Sequence, residues 1–228
     1  MWILPTYNRP EQCAAVLAQI EQVGCSTPGI VIVNGYDGIS KYARIKMPPH
    51  WKIFFSPINL GVCGAMQLHF LNYPFEPFYG LICDDEYVYT PGWDTALIQA
   101  AGRFGIAHGN DGWQSETRLH TYATWGGDLL RTVGWWALPN LWHWYFDDIW
   151  EGFARDCGLK RFCRDVKTEH KHYLAGKAVR DKTYAAAELK AAEDQQRYQQ
   201  WVQNEYPRVR DRVKHAMAQA EPKAAGNS

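Results

Sequence analysis

Three acids stand side by side at Asp84, Asp85 and Glu86, directly after the apolar run 81–83. Adjacent carboxylates at the end of a buried strand repel one another, and a bound divalent cation is the usual compensation. Hard cations that tolerate phosphate oxygens, Mg²⁺ or Mn²⁺, prefer such ligands. A second acidic pair, Asp147 and Asp148, lies among Trp142, Trp144, Phe146, Ile149 and Trp150. Apolar surroundings raise a carboxylate's pKa, which is how a general base is tuned. His143 stands four residues before Asp147 and shares its face if the segment is helical. His170 and His172, two apart in VKTEHKH, point to one side if that segment is a strand. Each feature also has a plain reading: an exposed acidic turn, a helix cap, a solvated His/Lys loop.

The elements that would position these residues can be read from apolar runs and breakers. Residues 1–4 form a short apolar strand that opens into Pro5-Thr6-Tyr7-Asn8-Arg9-Pro10. Cys13, Val16, Leu17, Ile20 and Val23 recur at helical spacing over 11–23, and Gly24 stops that helix. A second strand, 29–33, ends in the turn Asn34-Gly35-Tyr36-Asp37-Gly38. A third, 53–56, precedes Asn59-Leu60-Gly61 and a helix over 64–71, and a fourth, 78–83, runs into the acidic triplet. Strand–helix alternation of this kind predicts a parallel, doubly wound sheet, whose ligands bind outside the carboxyl ends of the strands. All four polar clusters fall there. Gly61 and Gly64 leave backbone N–H groups unobstructed at a helix entrance, a setting suited to phosphate. Residues 105–150 are rich in Gly and Trp and show no assignable period. From 183 a polar helix runs to a break at Pro207, a basic helix follows over 208–219, and the last residues read as a disordered tail.

The chain has 228 residues, 46% of them hydrophobic, enough for one domain with a sizeable core. Residues 1–150 carry 8 Lys and Arg against 13 Asp and Glu, and 151–228 carry 16 against 11. An acidic half and a basic tail suit an anionic partner. The six cysteines show no CxxC pair, and no apolar run is long enough to span a bilayer, so a soluble, cytoplasmic protein is expected.

The segments LPTYNRP, VNGYDG, NLGVCGAMQ and GLICDDEYVYTPGW occur in order, each after a predicted strand. In this the chain resembles the family-2-like glycosyltransferases of the GT-A fold, including small phage-type enzymes that modify DNA bases. The resemblance implies an α/β, Rossmann-like, mostly parallel sheet flanked by helices over 1–175, with a C-terminal helical extension over 176–219. It implies transfer of a sugar from a nucleotide-sugar donor, a UDP-sugar foremost, to an acceptor hydroxyl, with a modified DNA base among the acceptors. Donor contacts fall to Pro5, Thr6, Tyr7, Arg9, Asn34, Asn59, Gly61, Gln67, Asp84 and Asp85. Mn²⁺ or Mg²⁺ falls to Asp84 and Glu86 with His170 or His172, and the base to Asp147 or Asp148. Acceptor contact is expected from Trp113, His120, Trp125 and His143, and from the basic C-terminal helices. A nucleotidyltransferase, or a non-catalytic nucleotide-sugar or nucleic-acid binding module, is the alternative. The first lacks its Gly-rich loop after strand one, and the second leaves both acidic sites without a role.

Overall fold

The runs WILPT and GIVIVN are buried along their whole length and form adjacent parallel strands, β1 (Trp2–Thr6) and β2 (Gly29–Asn34). Successive side chains of a strand point to opposite faces. Accordingly Ile3, Ile30 and Ile32 enter one hydrophobic core, while Trp2, Leu4, Val31 and Val33 enter another. A sheet covered on both faces needs apolar residues at every position, which is why these strands show no alternation. The described residues are 1–35, 38–113, 117–119 and 122–220 of a computed structural model.

Eight strands form one sheet in the order β3-β2-β1-β4-β7-β6-β8-β5. Here β3 is Trp51–Ser56, β4 Phe78–Leu81, β5 Glu86–Val88, β6 Ile106–Asn110, β7 Thr124–Gly126 and β8 Lys160–His170. The first four strands are mutually parallel, as the sequence predicts. The other half is mixed, because β7 runs antiparallel to β4 and β6, and β5 antiparallel to β8. Helices α1 (Pro10–Val23) and α4 (Trp93–Ala101) cover one face. The other is covered by α3 (Gly61–Asn72), α5 (Gly127–Val133) and α6 (Phe146–Asp156), with α8 (Ala191–Asn204) and α9 (Tyr206–Ala220) packed beside them. A short α2 (Ile39–Tyr42) and α7 (Lys182–Glu188) complete the helices named here. At β4, the Trp2 ring lies so close over Gly80 that any Cβ there would overlap it, so the β1–β4 pairing requires glycine.

Two sequence expectations need revision, the end of the fourth strand and the single C-terminal helix. The fourth strand ends at Leu81, so Ile82 and Cys83 already belong to the turn carrying the triplet. The polar segment 160–170 is the longest strand described. It reads poorly as a strand because six of its residues are charged, yet it pairs with β6 on one side and β5 on the other. The single C-terminal helix is two, α7 and α8, interrupted at Leu189 and Lys190. Pro207 sits in the first turn of α9, where a missing N–H breaks no helical bond. Trp201, Val209 and Val213 are buried in the core, so α8 and α9 pack on the sheet domain.

Candidate functional site

A cavity of about 420 Å³ opens at the carboxyl ends of β1, β2 and β4. Asp84 and Asp85 line it, each with less than a tenth of its surface exposed. Two adjacent buried carboxylates demand positive charge, and Arg9 supplies it. Its Nη1 donates to Asp84 Oδ1 at 3.1 Å and lies 3.8 Å from Asp85 Oδ2. The rest of its guanidinium holds Asp181 in a two-bond fork at 2.7 and 2.9 Å, and its plane rests on the Tyr184 ring at 4.1 Å. Thr6 Oγ1 donates to the second oxygen of Asp84 at 2.8 Å, and Tyr184 Oη donates to Asp85 Oδ2 at 2.6 Å.

His170 completes the floor. It closes β8 opposite Glu86 in register, and its Nε2 lies 3.4 Å from Asp85 Oδ1. Burial alone would lower its pKa, but the Asp85 hydrogen bond and the charges of Glu86 and Asp85 outweigh burial and lift it to about 9. Asp85 moves the other way: burial opposes ionisation, yet His170, Tyr184 and Arg9 together hold its carboxyl well below the usual range. Asp84 is raised by burial and by Asp85 against the pull of Arg9. His172, whose ring lies 5.0 Å from that of His170, also lines the cavity. Burial and the neighbouring charge of His170 lower its pKa to about 4.

The donor-side loops are built from the predicted segments. Pro5, Thr6, Tyr7 and Arg9 line the cavity, as do Asn34, Asn59 and Gly61. Asn34 stitches the loops together: its Nδ2 donates to the Gly61 carbonyl at 3.3 Å and its Oδ1 accepts from Leu60 N–H at 3.4 Å. Gly61 has φ +66°, and a Cβ there would overlap the Trp142 carbonyl. The Trp142 carbonyl in turn accepts from Cys63 N–H at 3.2 Å, so the start of α3 and the segment before α6 are locked together.

Across the cavity stand Asp147 and Asp148 in the first turn of α6. Arg118 donates to Asp148 Oδ1 at 2.6 Å and lies 3.8 Å from Asp147 Oδ2. The pKa of Asp147 is raised, by burial first and then by Asp148, against the opposing charge of Arg118. His143 does not share a helical face with Asp147. Helix α6 begins only at Phe146, after Tyr145 adopts φ 68° and breaks the chain direction. His143 still lines the cavity, and burial lowers its pKa to about 4.

Other assignments are corrected by position. Gln67 lies outside the cavity lining, with its Oε1 accepting from Trp136 N–H at 3.1 Å. Trp125 is the central residue of β7, with its ring between Trp136 and Trp150 in the core, so it cannot meet an acceptor. Glu86 is 2% exposed, sits behind the floor as the first residue of β5, and does not line the cavity. Trp113 stands in the lining, half exposed. His120 and Asp37 lie outside the described residues. The C-terminal extension meets the acidic floor through Tyr184, which donates to Asp85, and through Asp181, which holds Arg9; no residue of the basic helix α9 lines the cavity. The sequence signal for Asp181 is its place as the N-cap of α7, where it accepts from Thr183 N–H and Tyr184 N–H.

No family model matches the chain, and no curated protein matches it in sequence. Its fold does match solved structures. GalNAc-T7 with UDP, GalNAc and Mn²⁺ superposes with TM-score 0.55 at 9% identity, over 74% of this chain and 43% of that one. Glucosyl-3-phosphoglycerate synthase from Mycobacterium tuberculosis, in complex with Mn²⁺, UDP and glucosyl-3-phosphoglycerate, gives 0.54 at 12% identity, over 82% and 74%. Residues 1–349 of S. aureus TarS give 0.50 at 15% identity, over 73% and 59%. The chain thus spans less than half the length of the GalNAc-T7 structure and under two thirds of the TarS fragment. No helix among the described residues is long and apolar enough to cross a membrane. With its parallel half-sheet, its strand-end cavity and its likeness to these solved structures, the chain has the GT-A fold.

Proposed function

We propose that this protein transfers a sugar from a nucleotide-sugar donor, with a UDP-sugar as the first candidate, to an acceptor hydroxyl with the help of Mn²⁺ or Mg²⁺. One observation carries the reading: a single cavity brings together two separate acidic sites, Asp84 with Asp85 and Asp147 with Asp148. Transfer chemistry needs both, one beside the leaving diphosphate and one beside the attacking hydroxyl. The UDP and Mn²⁺ in the GalNAc-T7 and glucosyl-3-phosphoglycerate synthase structures support the same choice of donor and ion.

The nucleoside fits the loops after β1, β2 and β3, between Pro5, Tyr7, Asn34 and Asn59. The diphosphate then lies between these loops and the acidic floor; the expected phosphate seat at the start of α3 is closed, because Gly61 N–H donates to Asn59 Oδ1 at 3.0 Å and Cys63 N–H to the Trp142 carbonyl at 3.2 Å. Among the described residues no three His, Cys, Asp or Glu side chains already converge at metal-ligand distance. The donor types nevertheless fit, because Asp84, Asp85 and His170 face one floor and offer carboxylate oxygen with imidazole nitrogen. His170, protonated at neutral pH, gives up its proton to serve. Asp85 takes the place that the sequence suggested for Glu86. When bound, a divalent ion offsets the charge that develops on the departing nucleoside diphosphate.

Asp147 receives the proton of the acceptor hydroxyl as that oxygen attacks the anomeric carbon. Arg118 is held tightly by Asp148, which leaves Asp147 the less neutralised of the pair, and burial raises the pKa of Asp147. Trp113, Trp144 and Tyr145 line the acceptor side. Since α9 stays out of the cavity, its basic residues give no support to a DNA acceptor. A panel of UDP-sugars with Mn²⁺, assayed for donor hydrolysis and for transfer to simple sugar and nucleoside hydroxyls, tests the proposal. Turnover of a nucleotide sugar supports it; a protein that binds nucleotide sugars without ever cleaving them contradicts it.

A further inference from the structure

Asp194 belongs to the C-terminal extension, far in sequence from every strand-end motif, yet it is 1% exposed. Its carboxylate accepts three successive backbone N–H groups: Trp142 at 2.8 Å on Oδ1, then His143 at 2.9 Å and Trp144 at 2.8 Å on Oδ2. Three consecutive amides turned inward form an anion-binding nest. Here the anion is supplied by the chain itself.

The clamped segment is the cavity wall that leads into α6. Its Trp142 carbonyl faces the start of α3, and its Tyr145 sits in the left-handed region directly before Phe146 and Asp147. Two further ties come from the same extension. Tyr198, one helical turn after Asp194 on α8, stacks on Tyr145 with ring centroids 5.1 Å apart and planes at 14°. The Trp144 indole N–H donates to the Ala187 carbonyl of α7 at 2.8 Å. The sequence 142–145 has no regular structure of its own, so its shape depends on these ties. Without Asp194, three buried donors would lose their acceptor, a situation folded proteins avoid.

We infer that Asp194 is a positioning residue of the transfer reaction: by clamping the amides of residues 142–144 it sets where the carboxylate of Asp147 stands relative to the acceptor hydroxyl. The inference rests on the glycosyltransferase reading and on Asp147 as the base. It separates Asp194 from the donor, because Asp194 does not line the cavity and touches neither Asp84, Asp85 nor Arg9 through any hydrogen bond described above.

Asp194→Asn keeps the shape of the side chain, removes its charge and replaces one acceptor oxygen by a donor. The expected result is a fall in kcat for transfer of about 10–10²-fold, the scale set by ångström-level misplacement of a catalytic group. KM for the donor and the affinity for UDP with Mn²⁺ should stay within twofold. In Asp194→Ala, added formate, which can enter the vacated nest, should restore part of kcat. An unchanged kcat in Asp194→Asn, a parallel loss of donor affinity, or no response of Asp194→Ala to formate would overturn the inference. Backbone amide exchange in the wild type is a second test, independent of how the variants fold. Protection of the 142–144 amides comparable to the core strands supports the clamp, and exchange at the rate of a solvent-exposed loop overturns it. A wild-type protein that transfers no sugar from any nucleotide donor removes the functional reading and this inference together. Wild-type transfer left undiminished in Asp194→Asn removes this inference alone.

Discussion

The proposed division of labour between two adjacent acids, Asp147 and Asp148, turns on a single arginine. Arg118 reaches Asp148 at hydrogen-bond distance and Asp147 only at 3.8 Å. Asp147→Asn should therefore lower transfer by about 10²–10⁴-fold, the usual weight of a general base, with donor affinity unchanged. Asp148→Asn should cost far less, through loss of the Arg118 tie. Single-turnover transfer measured beside UDP affinity distinguishes the two, and equal losses in both variants would count against the assignment. His170 offers a test that needs no substrate. Its folded pKa of about 9 exceeds the ordinary value of 6.5, so protonated His170 stabilises the fold fully below about pH 6.5. That contribution is lost as pH rises through 9. Urea unfolding of the protein in EDTA should show stability declining across this window, and His170→Gln should flatten the decline. Neither the Arg118 tie nor the His170 shift was legible in the sequence, because both depend on partners dozens of residues away.

At the scale of elements, the strand-end loops were legible and the walls were not. Buried parallel strands such as 29–33 announce themselves as apolar runs, and the polar residues that follow fall at their carboxyl ends whatever the packing. His143 and Asp147 have the spacing of a helical pair, but the chain turns left-handed at Tyr145, whose ring stacks on Tyr198 of α8, a partner from outside the segment. Helix α7 falls in the stretch that the sequence presents as one polar helix from 183. In the structure Tyr184 is both anchor and donor, hydrogen-bonded to Asp85 from a side 9% exposed. Tyr184→Phe should lower stability by about 1.5–3 kcal/mol, the range for hydrogen bonds to charged groups. Denaturant midpoints measured in the metal-free protein check this, and a loss below about 0.5 kcal/mol would show that Asp85 finds equivalent support elsewhere.

For the whole molecule, the parallel half of the sheet and its ligand edge followed from the order of apolar runs and breakers. The mixed half did not. Strand β7 has three residues, β5 has three, and β8 is polar, so none carries a pattern strong enough to stand out. Strand β8 nevertheless brings His170 to the acidic floor and β5 sets Glu86 behind it, while the extension brings Asp181 to Arg9 and Tyr184 to Asp85. The site is thus assembled from both ends of the chain around one cavity. On the proposed reading, Asp84 and Asp85, neutralised here by Arg9 and His170, accept a divalent ion together with a nucleoside diphosphate. Titration calorimetry of UDP into the protein, with Mn²⁺ and with EDTA, in the wild type and in Asp85→Asn, tests this most directly. UDP should bind the wild type with Mn²⁺, bind at least about tenfold more weakly in EDTA, and show no Mn²⁺ enhancement in Asp85→Asn. Equal UDP affinity with and without Mn²⁺, or full Mn²⁺ enhancement in Asp85→Asn, would contradict it.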